Sequence, residues 1–461
     1  MKMLLLSFSA LAILSGIISL AADTPSAADR NWPQWRGPLA TGAAPTANPP
    51  VRWSETTNVK WKTKLPGSGT ASPVIWENQI FILTAIPEEK KSDTVEATPA
   101  PAPPPADANT DNQPRRRRGG GGFRAQAPIA KNQFALLCLD RQTGKILWQK
   151  IARETVPHEG HHQDHGFASH SPVTDGKRIF AYFGSRGLHC YDLQGNLKWQ
   201  KDFGQMRTKN SFGEGSSPAL FGNTVVVNWD HEGEDFIVAL DADSGKELWR
   251  QPRDEDTSWS TPLIVQHDGK AQVITSATRK IRSYDLVTGK LLWECGGMTA
   301  NTIPSPVAAN GVVFATSGFR GSSLQAIRLG RTGDLTGSDA ILWQHNRNTP
   351  YVPSPLLYGD KLYLFAGNNN ILSCFDTKDG RVLIDGERVE GLQGVYASPV
   401  GAGGRVYLVG RNGATVVINN SDKLEVLATN RLAERIDASP AIVGKEIFLR
   451  SHGSLYCIEE K

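Results

Sequence analysis

The sequence predicts an all-β chain: an eight-bladed β-propeller of four-stranded antiparallel blades, closed by an N-terminal strand that completes the last blade. Three observations predict it. An opening dipeptide recurs eight times, a closing motif ends blade-sized units in tryptophan, and each end of the chain carries what the other lacks. At 461 residues with 39% hydrophobic side chains, the chain can bury a large core, which excludes overall disorder.

The openings are Ser72-Pro73, Ser171-Pro172, Ser217-Pro218, Thr261-Pro262, Ser305-Pro306, Ser354-Pro355, Ser398-Pro399 and Ser439-Pro440. After a first interval of 99 residues, successive Ser or Thr positions lie 46, 44, 44, 49, 44 and 41 apart. That is close to the roughly 40 to 45 residues of a four-stranded blade. The closing half is clearest in LLCLDRQTGKILW (136–148), VALDADSGKELW (238–249) and RSYDLVTGKLLW (282–293). Each reads as a hairpin in which Asp satisfies turn amides and Gly144, Gly245 or Gly289 supplies the positive φ of a tight turn. Trp148, Trp199, Trp249, Trp293 and Trp343 then fall at equivalent points of the outer strands. There a large aromatic covers the gap between neighbouring blades, so these residues are assigned to packing rather than ligand stacking.

Such strands bury both faces only when blades stack radially, and a ring must close. The unit from Ser439 ends after three strands, whereas NVKWKTKL (58–65), carrying Trp61, precedes the first opening. That segment is expected to be the missing fourth strand, locking the two ends together and removing a free edge. Residues 58–461 are therefore assigned to the propeller and 22–57 to an N-terminal extension.

Residues 1–21 read as a signal peptide: Lys2, an apolar stretch over 4–20, and a small-x-small pattern at Ser19-Leu20-Ala21. Ser7, Ser9, Ser15 and Gly16 interrupt the apolar stretch, which favours cleavage after Ala21 over a retained anchor. No later segment is apolar enough to span a bilayer, and no cysteine stands at the cleavage site, so the product is expected to be periplasmic or secreted and not a lipoprotein. A net charge of +4, partly from the single run 115–118, gives no argument for nucleic acid. Four of the five cysteines, Cys138, Cys190, Cys374 and Cys457, occupy the same slot in their blades, and Cys295 has no evident partner. All five are expected to be free thiols.

Two interruptions stand out. Residues 87–132 separate the second and third strands of blade one, and their Pro-, Ala-, Arg- and Gly-rich run has the composition of a solvated, disordered insertion. Its basic run, 115–118, has a competing reading as a lure for an acidic polymer or anionic surface. The second is PHEGHHQDHGFASH (157–170), between blades one and two. His158, His161, His162 and His165 are candidate metal ligands, with Glu159 and Asp164 as oxygen donors. The spacing matches no familiar site, and a solvated loop is the competing reading.

On the rim that carries this loop, the repeat places Arg207, Asn228, Asp230, His231, Trp259, Arg279, Arg320, Arg347, Tyr351, Asn369 and Arg411. A funnel rich in guanidinium groups is suited to carboxylates, phosphates or a peptide main chain. No phosphate-cradling glycine loop, Gly-x-Ser-x-Gly elbow or His-Glu-x-x-His helix occurs.

The eight openings, the Asp-x-x-Thr-Gly-Lys-x-x-Trp closings and the leading segment NWPQWRGP (31–38) make the chain similar to PQQ-like β-propeller repeat proteins from Asn31 to the C-terminus. That group spans quinoprotein alcohol dehydrogenases and BamB-type outer-membrane assembly scaffolds. The dehydrogenase branch implies adjacent cysteines, a calcium cage with pyrroloquinoline quinone, and an Asp base. Here no two cysteines are adjacent and no Cys-x-x-Cys-His occurs. The resemblance therefore implies a non-catalytic periplasmic scaffold or binding protein with a protein or peptide partner in the cell envelope. That protein would be a monomer without a cofactor. A quinoprotein dehydrogenase with quinone and calcium is the alternative.

Overall fold

The computed structural model describes residues 28–88, 125–367 and 369–460. The leader (1–21) and the basic run (115–118) lie outside the described residues, as does most of the insertion.

Eight antiparallel sheets follow one another in sequence order. Blade one runs from its inner to its outer strand through Val74–Trp76, Gln79–Pro87, Asn132–Asp140 and Ile146–Thr155. The other seven repeat this order. Inner strands of neighbouring blades, or the openings that precede them, touch one another, including the inner strands of blades eight and one, so the ring is closed. Blade eight holds Ala441–Val443, Glu446–Arg450 and Ser454–Glu459, and its outer strand is Val59–Lys64. Trp61 stands opposite Cys457 in that pairing, which is the expected lock between the chain ends.

The closing motif works as a joint between blades. In Asp-x-x-Thr-Gly, Asp140 Oδ1 accepts from both the backbone N–H and the hydroxyl of Thr143, each at 2.7 Å. Asp241 with Ser244 and Asp285 with Thr288 repeat the arrangement. The glycine completes the turn at positive φ, +73° for Gly289, and a Cβ there would lie 2.6 Å from the Trp249 ring of the preceding blade. Trp199, Trp249 and Trp343 lie against the next blade's turn, and each indole N–H reaches a turn carbonyl: Trp249 to Leu286 at 2.8 Å, Trp199 to Ala242 at 3.0 Å and Trp343 to Thr377 at 3.3 Å. Trp61 makes the same contact across the closure, to Arg141 at 2.9 Å. Trp293 donates instead to Gln272 Oε1 at 3.2 Å. Blade five has no such turn; its third-to-fourth connection lends Gly333–Asp334 to blade four as a parallel fifth strand. The packing role assigned to the tryptophans therefore has a specific form, an indole clasp between sheets.

The core lies between blade faces, built from strand residues such as Ile80, Leu137, Tyr456 and Ile458. All five cysteines are buried and free. Burial raises their thiols, to about 11 for Cys295 and about 12 for Cys138, Cys190 and Cys374, so they stay protonated at neutral pH.

The Ser or Thr of each opening has a structural task that the repeat alone did not reveal. From Ser72 round to Ser398, the backbone N–H of each opening residue donates to the side-chain oxygen of the next blade's opening residue at 2.8–3.0 Å. A hydroxyl at this position satisfies a buried amide where inner strands converge.

The N-terminal extension is folded across the opposite face, the one bearing first-to-second strand turns. Trp32 exchanges two backbone hydrogen bonds with Ile75 in blade one, and Pro33 accepts from Thr174 in blade two. Arg36 then crosses the axis and donates to Pro399 O at 3.0 Å and Pro355 O at 2.5 Å, in blades seven and six. Ala43–Ala44 adds in parallel to the inner strand of blade seven, and Asn48 reaches Gly444 in blade eight. Burial without a carboxylate partner pulls the Arg36 guanidinium down to about 9. The segment is thus a plug at one end of the axial channel.

Candidate functional site

Two residues upstream of each hydroxyl, the inner wall widens into a second ring, and together they enclose a cavity of about 250 Å³. Trp35, beside the buried Arg36, is its floor. One arc of the upper ring is apolar, with Trp259, Ile303 and Val352, joined by Tyr351 and Phe212. The other is polar, with Tyr396, Asp437, Thr70 and Ser169, joined by His162, Asp164 and His165 from the histidine-rich loop. The cavity is blind at the plugged end and opens on the face with the loops between blades.

The histidine-rich loop is folded over this mouth. Nε2 of His165 lies 3.0 Å from the Glu214 carbonyl, which only accepts, so Nε2 carries the proton and Nδ1 accepts from Ser169 Oγ at 2.9 Å. Thr70 donates to Ser169 in turn at 3.0 Å. Burial lowers the His165 imidazole to about 4 and that of His170, packed edge-on against Tyr182, to about 3. Both are neutral at physiological pH.

Between these and the next blades the loop turns at Asp164, whose N–H donates to His162 Nδ1 at 3.2 Å. Asp164 Oδ1 accepts from Nη2 of Arg411 at 2.5 Å and Nη2 of Arg435 at 2.9 Å, and Tyr396 donates to Oδ2 at 3.3 Å. Both guanidiniums are anchored from behind by buried Asp437, through Nε of Arg411 at 2.8 Å and Nε of Arg435 at 3.0 Å. His452 Nε2 also meets Asp437, at 2.9 Å, and the Arg411 guanidinium lies 4.0 Å over the Tyr396 ring. Burial, aided by the Asp164 charge, raises the Tyr396 hydroxyl, which therefore stays a donor.

The rim residues named from sequence all lie in loops on the mouth face or at strand ends leading into it, but they do different things. Arg207, Arg279, Arg320, Arg347 and Asn369 are exposed. Trp259 and Tyr351 line the cavity, and Arg411 belongs to the Asp164 cluster. Asn228, Asp230 and His231 are buried. Asp230 forms a fully buried pair with Arg253 at 2.6 Å, and Arg253 continues to Thr275 and Tyr284 in blade four, so this group fastens two blades. Spacing placed these three residues on the correct face but not at the correct depth.

The four candidate metal ligands are individually occupied. His158 Nε2 meets Met206 O at 2.7 Å, His161 Nδ1 meets His162 O at 2.8 Å, and His162 and His165 are held as described. Among the described residues no three His, Cys, Asp or Glu side chains converge on a point that suits a metal ion. A hard cation holding a quinone needs free carboxylates. Asp164 and Asp437 are already committed to Arg411 and Arg435, and no two cysteines adjoin. The residues of the cavity do not fit a calcium-held quinone.

Sequence reasoning missed Trp35, Ser169, Ile303, Val352, Tyr396, Arg435 and Asp437. A signal was present for most of them. The position two before each opening is a cavity position in every blade, and it is there that the repeats stop resembling one another.

A family profile described as outer membrane protein assembly factor BamB matches residues 132–294 and 233–461. A comparison with curated proteins found no match. Among solved structures, a quinohemoprotein alcohol dehydrogenase, ADHIIG from Pseudomonas putida HK5, aligns over 94% of this chain and 81% of its own, with a TM-score of 0.53 at 10% identity. The designed protein Ika8 aligns over 74% and 98%, with a TM-score of 0.49 at 13% identity. BamB from Moraxella catarrhalis aligns over 73% and 84%, with a TM-score of 0.38 at 14% identity.

Proposed function

The chain belongs to the family described as outer membrane protein assembly factor BamB, and from that premise we propose that it is a non-catalytic binding scaffold of the cell envelope whose mouth face receives a protein or peptide partner. The observation that carries this reading is the group of exposed arginines around the mouth. Arg279 holds Asp256 at 3.2 Å and Arg347 holds Asp385 at 3.0 Å, both in solvent. Arg207 donates to the Glu232 carbonyl at 2.7 Å, and Arg320 lies over the Phe319 ring, which stacks on Tyr351. Exposed pairs of this kind contribute little to stability, so their donors are available for exchange with the carboxylates of a partner. Among the described residues no helix is long and apolar enough to cross a membrane. A face of this kind suits a docking role in the cell envelope.

The dehydrogenase alternative shares the fold but finds less support in the cavity, where the carboxylates are already paired. One experiment separates the two readings. A photo-crosslinking side chain is installed at position 320, and another at position 243 in an exposed turn of the opposite face, and both are irradiated in the source cell. The binding reading expects one discrete envelope protein from position 320 alone, reduced severalfold by Arg279→Ala with Arg347→Ala. Equal capture from both positions, or none, overturns it; dye reduction by an alcohol after addition of quinone and calcium establishes the alternative.

A further inference from the structure

Asp164 does not belong to the repeat. It sits at a turn of the loop between blades one and two, yet its carboxylate is held by Arg411 of blade seven, 247 positions away, and by Arg435, 271 positions away, in the connection to blade eight. The two guanidiniums are oriented without its help. Each uses Nε on Asp437, whose side chain is 2% exposed, and each brings Nη2 to the same oxygen of Asp164, the Nη2 of Arg435 being shared between Asp164 and Asp437 at 2.9 Å from each. The Tyr396 hydroxyl completes the set on the second oxygen. Three donors fixed by other groups and converging on one carboxylate form a pre-organised acceptor site. The charges around Asp437 balance only while Asp164 is seated: two guanidiniums face two carboxylates, and withdrawal of the loop leaves one positive charge in excess.

We infer that Arg411, Arg435 and Tyr396 form a carboxylate-binding site that Asp164 fills from within the chain, and that a small organic acid with an apolar body is the ligand that displaces it. The neighbouring cavity sets the body's chemistry and size. A ligand carboxylate in the place of Asp164 directs its remainder inward, toward Trp259, Ile303 and Val352. Trp35 closes the far end, so the body is about as large as an amino-acid side chain and no polymer threads through. Asp164 then acts as a competitor at high effective concentration, and without a ligand the two guanidiniums of the cluster stay neutralised. This goes beyond the docking role of the outer arginines and fails or stands separately from it.

The probe is 3-phenylpropionate, titrated into the full chain by calorimetry, with Trp35 and Trp259 fluorescence as a second readout. Wild type is expected to bind weakly, and Asp164→Ala about tenfold or more tightly. Asp164→Asn, which keeps the shape of the turn but not the charge, falls between them and serves if the alanine variant folds poorly. Adding Arg435→Ala to either variant abolishes the gain. The uncharged 3-phenylpropionamide shows no gain in any variant. The inference is overturned if neither Asp164 variant binds the acid more tightly than wild type. It is equally overturned if the amide gains as much as the acid, because that result describes a loosened apolar pocket and not a carboxylate site.

Discussion

Two rings of residues surround the axis, two positions apart in every blade, and they follow opposite rules. The lower ring is Ser or Thr without exception, and from Ser171 round to Ser439 each hydroxyl performs the same task of accepting the neighbouring blade's N–H. The upper ring includes Trp259, Ile303, Val352, Tyr396, Asp437 and Ser169, on the same strand entries and facing the same cavity. The blades share a frame and divide a site among them. In a chain built from repeats, a register position that is uniform reports assembly. One that varies while facing a common space reports recognition.

That contrast predicts graded effects, and the largest belongs to the frame. Trp249→Ala removes an indole that lies against Gly289 and donates to Leu286 O. The loss is expected to cost about 3–5 kcal/mol, the range for truncating a large buried aromatic. Urea unfolding measures it, and a cost under about 1 kcal/mol would show that the clasp between blades is not what holds the ring together.

His170 lies between the rings, directly before Ser171, with its ring turned away from the axis and edge-on to Tyr182. Its imidazole is lowered by burial to about 3, well below an ordinary histidine. A depressed histidine means that the unfolded chain binds the extra proton first. The stability supplied by neutral His170 is thus complete above about pH 6.5 and lost as pH falls toward 3. His170→Phe should flatten the acid side of the stability profile by up to about 1.4 kcal/mol per pH unit. The check is the urea midpoint at pH 7 and pH 4.5 for both proteins. Parallel profiles would show that His170 is protonated in the folded chain.

How much of this was legible beforehand divides along the same line. The blades, their number, the tryptophan contacts and the completion of blade eight by Val59–Lys64 follow from periodic signals, because every blade solves the same packing problem. The plug formed by Trp35 and Arg36 repeats nothing, so only its presence before the first blade was visible. The rim residues were placed on a face by counting strands. Counting fixes which end of a strand a residue occupies but not its depth, which is why Asp230, paired with Arg253 beneath the surface, looked equivalent to exposed Arg279. The Asp164 cluster joins residues 247 and 271 positions apart through side chains alone, and no local pattern encodes such a contact.

The two rings can be compared most closely within blade six, at Ser354 and Val352. Ser354 Oγ accepts the N–H of Ser305 at 2.9 Å, and the residue is 2% exposed. Ser354→Ala keeps the volume but strands that buried amide, with an expected cost of about 1–3 kcal/mol. Val352 lines the cavity with part of its surface open to it. Val352→Thr keeps the shape and places a hydroxyl where solvent can reach it, so its cost is about 0.5 kcal/mol or less. Ligand affinity should respond in the opposite order, with the threonine weakening 3-phenylpropionate in an Asp164→Ala background and the alanine leaving it within about twofold once folding is allowed for. Denaturation and titration of the Asp164→Ala protein with and without each substitution decide the matter. If Val352→Thr proved the more damaging to stability, the upper ring would be part of the frame, and its variety would need a packing explanation blade by blade.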